Sequence, residues 1–235
     1  MGDGDPADAG GAAPRVWDLP LRLCHWGLAL AVAAAFASHY AGTAAFAWHV
    51  RAGCAVLALV AFRVAWGFVG TRHARFASFV RGPRATLAEL RALGAPPGAP
   101  RAGHTVLGGW MALTLLGALL VQALTGLVAN DGVLDSGPLA AYLSRRLGDR
   151  LSGWHEAVSS LLLVLVALHV AAALGYRLLR HDDRIGPLVT GRRAGLPSSA
   201  DIGPERRLLA VLLFALAAAL VASVVLEAPP PPDLD

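Results

Sequence analysis

The sequence predicts an all-α integral membrane protein, with four spans in one bundle and a fifth, C-terminal transmembrane helix beyond it. Three observations predict it. Of 235 residues, 56% are apolar and only 15% charged, against roughly 45–50% and about 25% in soluble domains. The mean hydropathy is +0.56. The chain also breaks into five apolar stretches, each long enough for the roughly 20 residues that cross a bilayer as a helix, separated by arginine-bearing connections. This composition excludes a disordered chain and disfavours an ordinary soluble enzyme.

Residues 1–14 are mostly Gly, Ala, Asp and Pro and are expected to form a disordered tail. Positions 23–50 carry no Asp, Glu, Lys or Arg. They hold span 1 (about 22–42), a short turn at Ala41 to Ala45 and the start of span 2 (about 46–69), which Arg51 and Arg63 interrupt. Ala35-Phe36-Ala37 resembles a signal-cleavage site, but the region before it is over-long and begins with aspartates, which argues against cleavage. A polar, Pro/Gly-rich loop (70–106) leads to span 3 (about 107–129). A second loop (130–153), with a short amphipathic helix expected from Pro138 to Leu147, leads to span 4 (about 154–178). A linker then reaches span 5 (about 207–226) and an acidic, Pro-rich tail, so residues 194–235 stand apart from a membrane domain over 15–193.

All 20 basic residues are arginine, which fits a GC-rich, bacterial genome. The pI of about 9.8 does not indicate nucleic acid, because the arginines lie in connections and form no compact basic domain. The N-terminal segment, loop 70–106 and the connection from span 4 to span 5 hold most of them. The opposite loops offer Arg145, Arg146 and Arg150, balanced by Asp131, Asp135 and Asp149. The positive-inside rule therefore puts the N-terminus in the cytoplasm of a multi-pass protein of the bacterial inner membrane. Cys24 and Cys54 lie inside apolar segments and read as small buried hydrophobes, not as a disulfide framework.

Chemistry enters with the histidines. Five of eight lie at or in the spans: His25, His39, His49, His155 and His169. Ionisable groups are costly in a membrane and usually mark a function. His155 and His169 are 14 positions apart, which on a helix leaves them ~40° apart on one face and ~21 Å apart along the axis. His49 opens span 2 at the level of His155, and His25 opens span 1 nearer that of His169. Two pairs result, one near each leaflet, and each suits the axial positions of a haem b. No Cys-x-x-Cys-His occurs, so attachment is non-covalent. Two imidazoles on one iron leave no open position and favour electron transfer. A structural zinc site, with four converging ligands, does not fit two levels.

The sequence also admits alternatives. His39 lies 14 positions after His25 and is an alternative to His49 as outer ligand. His25 is closer to the inner boundary than His169 by several ångströms, a mismatch for tilt or an embedded Arg22 to absorb. Arg63 falls on the His49 face of span 2, ~21 Å deeper. It either binds a haem propionate or snorkels to headgroups. His73, His104 and His181 lie in basic loops and read as surface residues. Trp48, Trp66 and Trp154 at span ends read as an interfacial belt. Gly108, Gly109, Gly117 and Gly126 leave room for close approach of a ring or helix, and Gln122 has no assigned role. The same residues also suit a membrane oxidoreductase acting on quinol or superoxide at a haem edge. Without iron they would line a transporter or scaffold.

Four segments carry a resemblance: Arg15-Val-Trp-Asp-Leu-Pro-Leu-Arg-Leu-Cys-His25-Trp; the run from Arg63-Val-Ala-Trp-Gly to Pro83; Gly103-His-Thr-Val-Leu-Gly-Gly-Trp-Met111; and Trp154-His-Glu156. Together they resemble the bacterial cytochrome b561 and Ni,Fe-hydrogenase b-type cytochrome family. The resemblance covers about residues 15–193. It implies a four-helix transmembrane haem-binding bundle with two b haems, the membrane quinone pool as one redox neighbour, and a hydrogenase or dehydrogenase subunit or a periplasmic cytochrome c as the other. It also implies His25, His49, His155 and His169 as ligands, and favours His49 over His39. Span 5 lies outside it and reads as an extra packing helix.

Overall fold

The computed structural model describes residues 12–92, 101–130 and 135–227. The expected acidic tail, most of the N-terminal tail and Asp131 lie outside the described residues. Eight α-helices occur among the described residues: α1 (Leu19–Tyr40), α2 (Phe46–Val69), α3 (Phe76–Phe79), α4 (Pro83–Arg91), α5 (Val106–Gly126), α6 (Arg145–Leu179), α7 (Gly186–Thr190) and α8 (Arg207–Leu226). Five of them, α1, α2, α5, α6 and α8, are long and apolar enough to cross a membrane. The predicted five spans are thus present in the predicted order.

Local chemistry sets the helix ends. Asp18 caps α1: its carboxylate accepts the Leu21 N–H at 2.6 Å, as an N-cap residue does. Pro20 follows in the first turn, where its missing N–H costs nothing. Beyond Tyr40 the chain turns at Gly42, whose φ of 84° suits glycine. Thr105 caps α5 through the Gly108 N–H. Glu89 of α4 accepts from Val106 N and Leu107 N as well, placing a carboxylate at the positive end of α5.

Helix α2 is the hub, packing on α1, α5 and α8. Apolar side chains of α2, α5 and α6 (Val56, Val60, Leu119 and Leu162) form one core cluster. Ala210 and Ala217, seven apart, are the buried residues of α8; small side chains let helices approach closely in a membrane. Phe214 also meets Phe62 edge to face. The fifth span is therefore an added packing helix on α2 and α1. Helix α6 packs by close backbone approach on α5, and meets α1 and α2 through histidine side chains.

Two expected outlines change. Helix α6 begins at Arg145, nine residues before the expected start of span 4, and a short 3-10 turn (Ala140–Tyr142) replaces the amphipathic helix expected at 138–147. Hydropathy marks where a bilayer ends, whereas Arg145-Arg-Leu-Gly-Asp-Arg-Leu contains enough good helix formers to extend the helix past it. The loop over 70–106 also contains α3 and α4.

Candidate functional site

One end of the bundle gathers the start of α1, the end of α2, the start of α5 and the end of α6. There the rings of His25 and His169 have centroids 6.2 Å apart. At the other end His49 and His155 are 6.1 Å apart. A metal–imidazole bond is about 2.0–2.1 Å; with about 1.1 Å from nitrogen to ring centre, two imidazoles bound to opposite sides of one metal have centroids about 6.3 Å apart. Both pairs match this spacing. The rings of His25 and His169 meet despite the depth mismatch expected of straight helices, with Arg22 engaged by protein. Its guanidinium donates to the carbonyls of Leu188 and Val189 in an ordered cap over that end.

Two of the four rings have a backbone partner. His49 Nδ1 lies 2.9 Å from the Ala35 carbonyl, and His155 Nδ1 lies 3.0 Å from that of Gln122. A carbonyl only accepts, so each Nδ1 carries the proton and each Nε2 keeps its lone pair, the arrangement a metal-binding imidazole needs. Gln122, unassigned in the sequence, donates its side-chain amide N–H to the lone pair of His155 Nε2 at 3.1 Å, so this amide would have to turn aside for a metal to bind there; its Oε1 is buried without a partner. Gly126 supplies the room for this ring, since a Cβ there would lie 2.7 Å from His155 Cε1. His39 faces His49 at 5.9 Å. A cavity of about 530 Å3 opens among these groups, lined by His39, His49, Gln122 and His155. That volume is in the range of small-molecule and cofactor sites.

Arg63 is buried at the His25 end. Its guanidinium lies over the Phe76 ring at 5.2 Å, and its Nη1 is buried with no partner. The side chain thus points inward and does not snorkel. A buried guanidinium nitrogen without an acceptor is costly, and an anion there would relieve it.

Three expectations are corrected. Trp66 is fully buried, not interfacial. Its indole N–H donates to Asp18, which also accepts from Thr71; a completely buried carboxylate drew the ring inward. Trp48 and Trp154 are exposed, as a belt requires. His73 is buried rather than superficial, with Nε2 2.9 Å from the Ala200 carbonyl. His104 is half-buried between Trp17 (4.8 Å) and Phe79 (4.5 Å), and its Nδ1 has no partner. Burial first, then the charges of Arg63, His25, His169 and Arg184, pushes its imidazole down to about 3, so it is neutral. Both histidines follow a loop that folds back over the bundle, which local polarity conceals. His181 is exposed, as expected.

The prokaryotic cytochrome b561 family model matches residues 16–191. The chain belongs to the prokaryotic cytochrome b561 family. No curated protein and no solved structure gives a significant match. Membership makes the chain a b-type, haem-binding cytochrome of membrane electron transfer, embedded as a multi-pass bundle. The matched segment takes in all four paired histidines and Arg63, and ends before α8.

Proposed function

We propose that this cytochrome b561 is a di-haem protein of the bacterial inner membrane that carries electrons between a periplasmic redox partner and the quinone pool. The observation that carries the reading is the repeated pair of imidazoles, 6.2 and 6.1 Å between centroids, at opposite ends of one helix. His25 and His169 would hold one haem b, and His49 and His155 the other. His49 is preferred to His39 because it is the ring facing His155, whereas His39 faces His49. When bound, haem would supply a one-electron couple, and held by two of these imidazoles it would be suited to passing electrons.

The chain's own residues bind, orient and insulate. The carbonyls of Ala35 and Gln122 fix the tautomer of two ligands. Arg63 offers its unpartnered Nη1 to a haem carboxylate at the His25 end. The N-terminus is cytoplasmic on the arginine distribution, which puts the His25 pair on the inner side and the His49 pair on the periplasmic side. A hydrogenase or dehydrogenase subunit or a small cytochrome c suits the periplasmic role.

In proteoliposomes containing quinone, chemical reduction of the quinone should reduce both haems. A reduced cytochrome c or other periplasmic-side donor should do the same from the opposite face. Reduction of haem from one face only would contradict transmembrane transfer.

A further inference from the structure

At the His25 end two buried polar atoms lack partners, not one: Arg63 Nη1 and His104 Nδ1. A continuous run of ring contacts connects them. Arg63 stacks over Phe76, Phe76 meets Phe79, Phe79 meets His104, and His104 meets Trp17. Gly109 permits this run, since a Cβ there would lie 2.6 Å from the Phe79 ring. The protein satisfies its other buried groups here with care. Asp18 accepts three hydrogen-bond donors, and His73 reaches the Ala200 carbonyl. Two orphans joined by one run of rings at the same end of the bundle therefore point to an absent acceptor. Arg63 can only donate, and a neutral imidazole donates from the nitrogen that carries its proton. The acceptor with which both are satisfied is a carboxylate, and a haem held by His25 and His169 would bring carboxylates to this level.

We infer that His104 is a second carboxylate-binding residue at the His25 end, which donates from Nδ1 to a carboxylate of the haem there, alongside Arg63. The inference rests on the di-haem reading. It adds a residue that lies in the loop before α5 and on neither ligand helix. His104 thereby links cofactor retention to the fold of segment 101–105.

The test is haem retention by the full chain, measured as transfer to excess apomyoglobin, with protohaem and with protohaem dimethyl ester, which has no free carboxylate. With protohaem, His104→Leu should release the His25-end haem about tenfold faster, the equivalent of one hydrogen bond to a charged acceptor. His104→Gln, which keeps an N–H donor, should restore most of the retention. With the dimethyl ester, wild type and His104→Leu should release haem at the same rate. Equal acceleration by His104→Leu with both porphyrins, or no acceleration with protohaem, would overturn the inference. Should His104→Leu fail to assemble, His104→Met is compared in the same way. His25→Ala is the control for the underlying reading: if it leaves two haems in place, the ligand assignment fails, whatever His104 does.

Discussion

At the scale of single residues, the site depends on small groups that make room and on backbone groups that aim rings. Gly126 is the sharpest case, because a Cβ would lie 2.7 Å from His155 Cε1. Gly126→Ala should displace that ring at a cost of about 1–3 kcal/mol, typical of overpacking. The expected outcome is loss of, or a spectral shift in, the His49-end haem alone, read from haem content and the reduced absorption bands. Gly117, with open space around its Cβ position, should tolerate Ala and serves as the control. The four paired histidines are legible in the sequence because helix periodicity turns 14 positions into one face and two levels. Gln122, His104 and Asp18 are not. Their roles depend on which distant backbone or ring comes to rest beside them, and no periodicity encodes that.

At the scale of elements, hydropathy locates spans well and ends poorly. Spans 2 and 5 have the expected bounds because Gly42 with the turn around it, and Arg206-Arg207, mark them chemically. Helix α6 overruns its expected start because helix propensity continues where apolarity stops. The least legible element is the cap over the His25 end, which reads as a polar linker. Segment 14–18 runs between two strips of it: Val16 N bonds the Gly191 carbonyl, and Ile202 N bonds the Arg15 carbonyl. Arg15 pairs with Asp201 at 3.1 Å. The backbone N–H of Arg15, with the guanidinium and Gly203 N, holds the Asp201 carboxyl down from the ordinary 3.8 to about 2. A depressed carboxylate contributes stability above its unfolded value, and that contribution fades as pH falls through the folded one. The cap should therefore keep this clamp down to about pH 4 and lose it between about pH 4 and pH 2. Both side chains are about one-third exposed, so solvent screens the pair and the effect is modest. Limited proteolysis with an acid protease should show cleavage in 191–205 rising over that window. Asp201→Asn should raise cleavage already at pH 6, and a flat profile in wild type would contradict the clamp.

At the scale of the whole molecule, α2 is the hub and the two histidine pairs bridge α1 and α2 to α6, where backbones do not pack closely. Between the two pairs, Leu162 of α6 packs with Val56 and Val60 of α2 in one apolar cluster, so the histidines flank an apolar seam. The fifth span lies on the opposite duty: it packs on α2 and α1 through Ala210 and Ala217, outside the matched family segment. The central claim is two haems, each held by one pair. It is tested most directly by the pyridine haemochrome content of the purified chain and of four variants, His25→Ala, His49→Ala, His155→Ala and His169→Ala. Wild type should carry two haems per polypeptide and each variant about one, with His25→Ala and His169→Ala losing the same spectral component and His49→Ala and His155→Ala the other. One haem per wild-type chain, or a single substitution that leaves both in place, would contradict it.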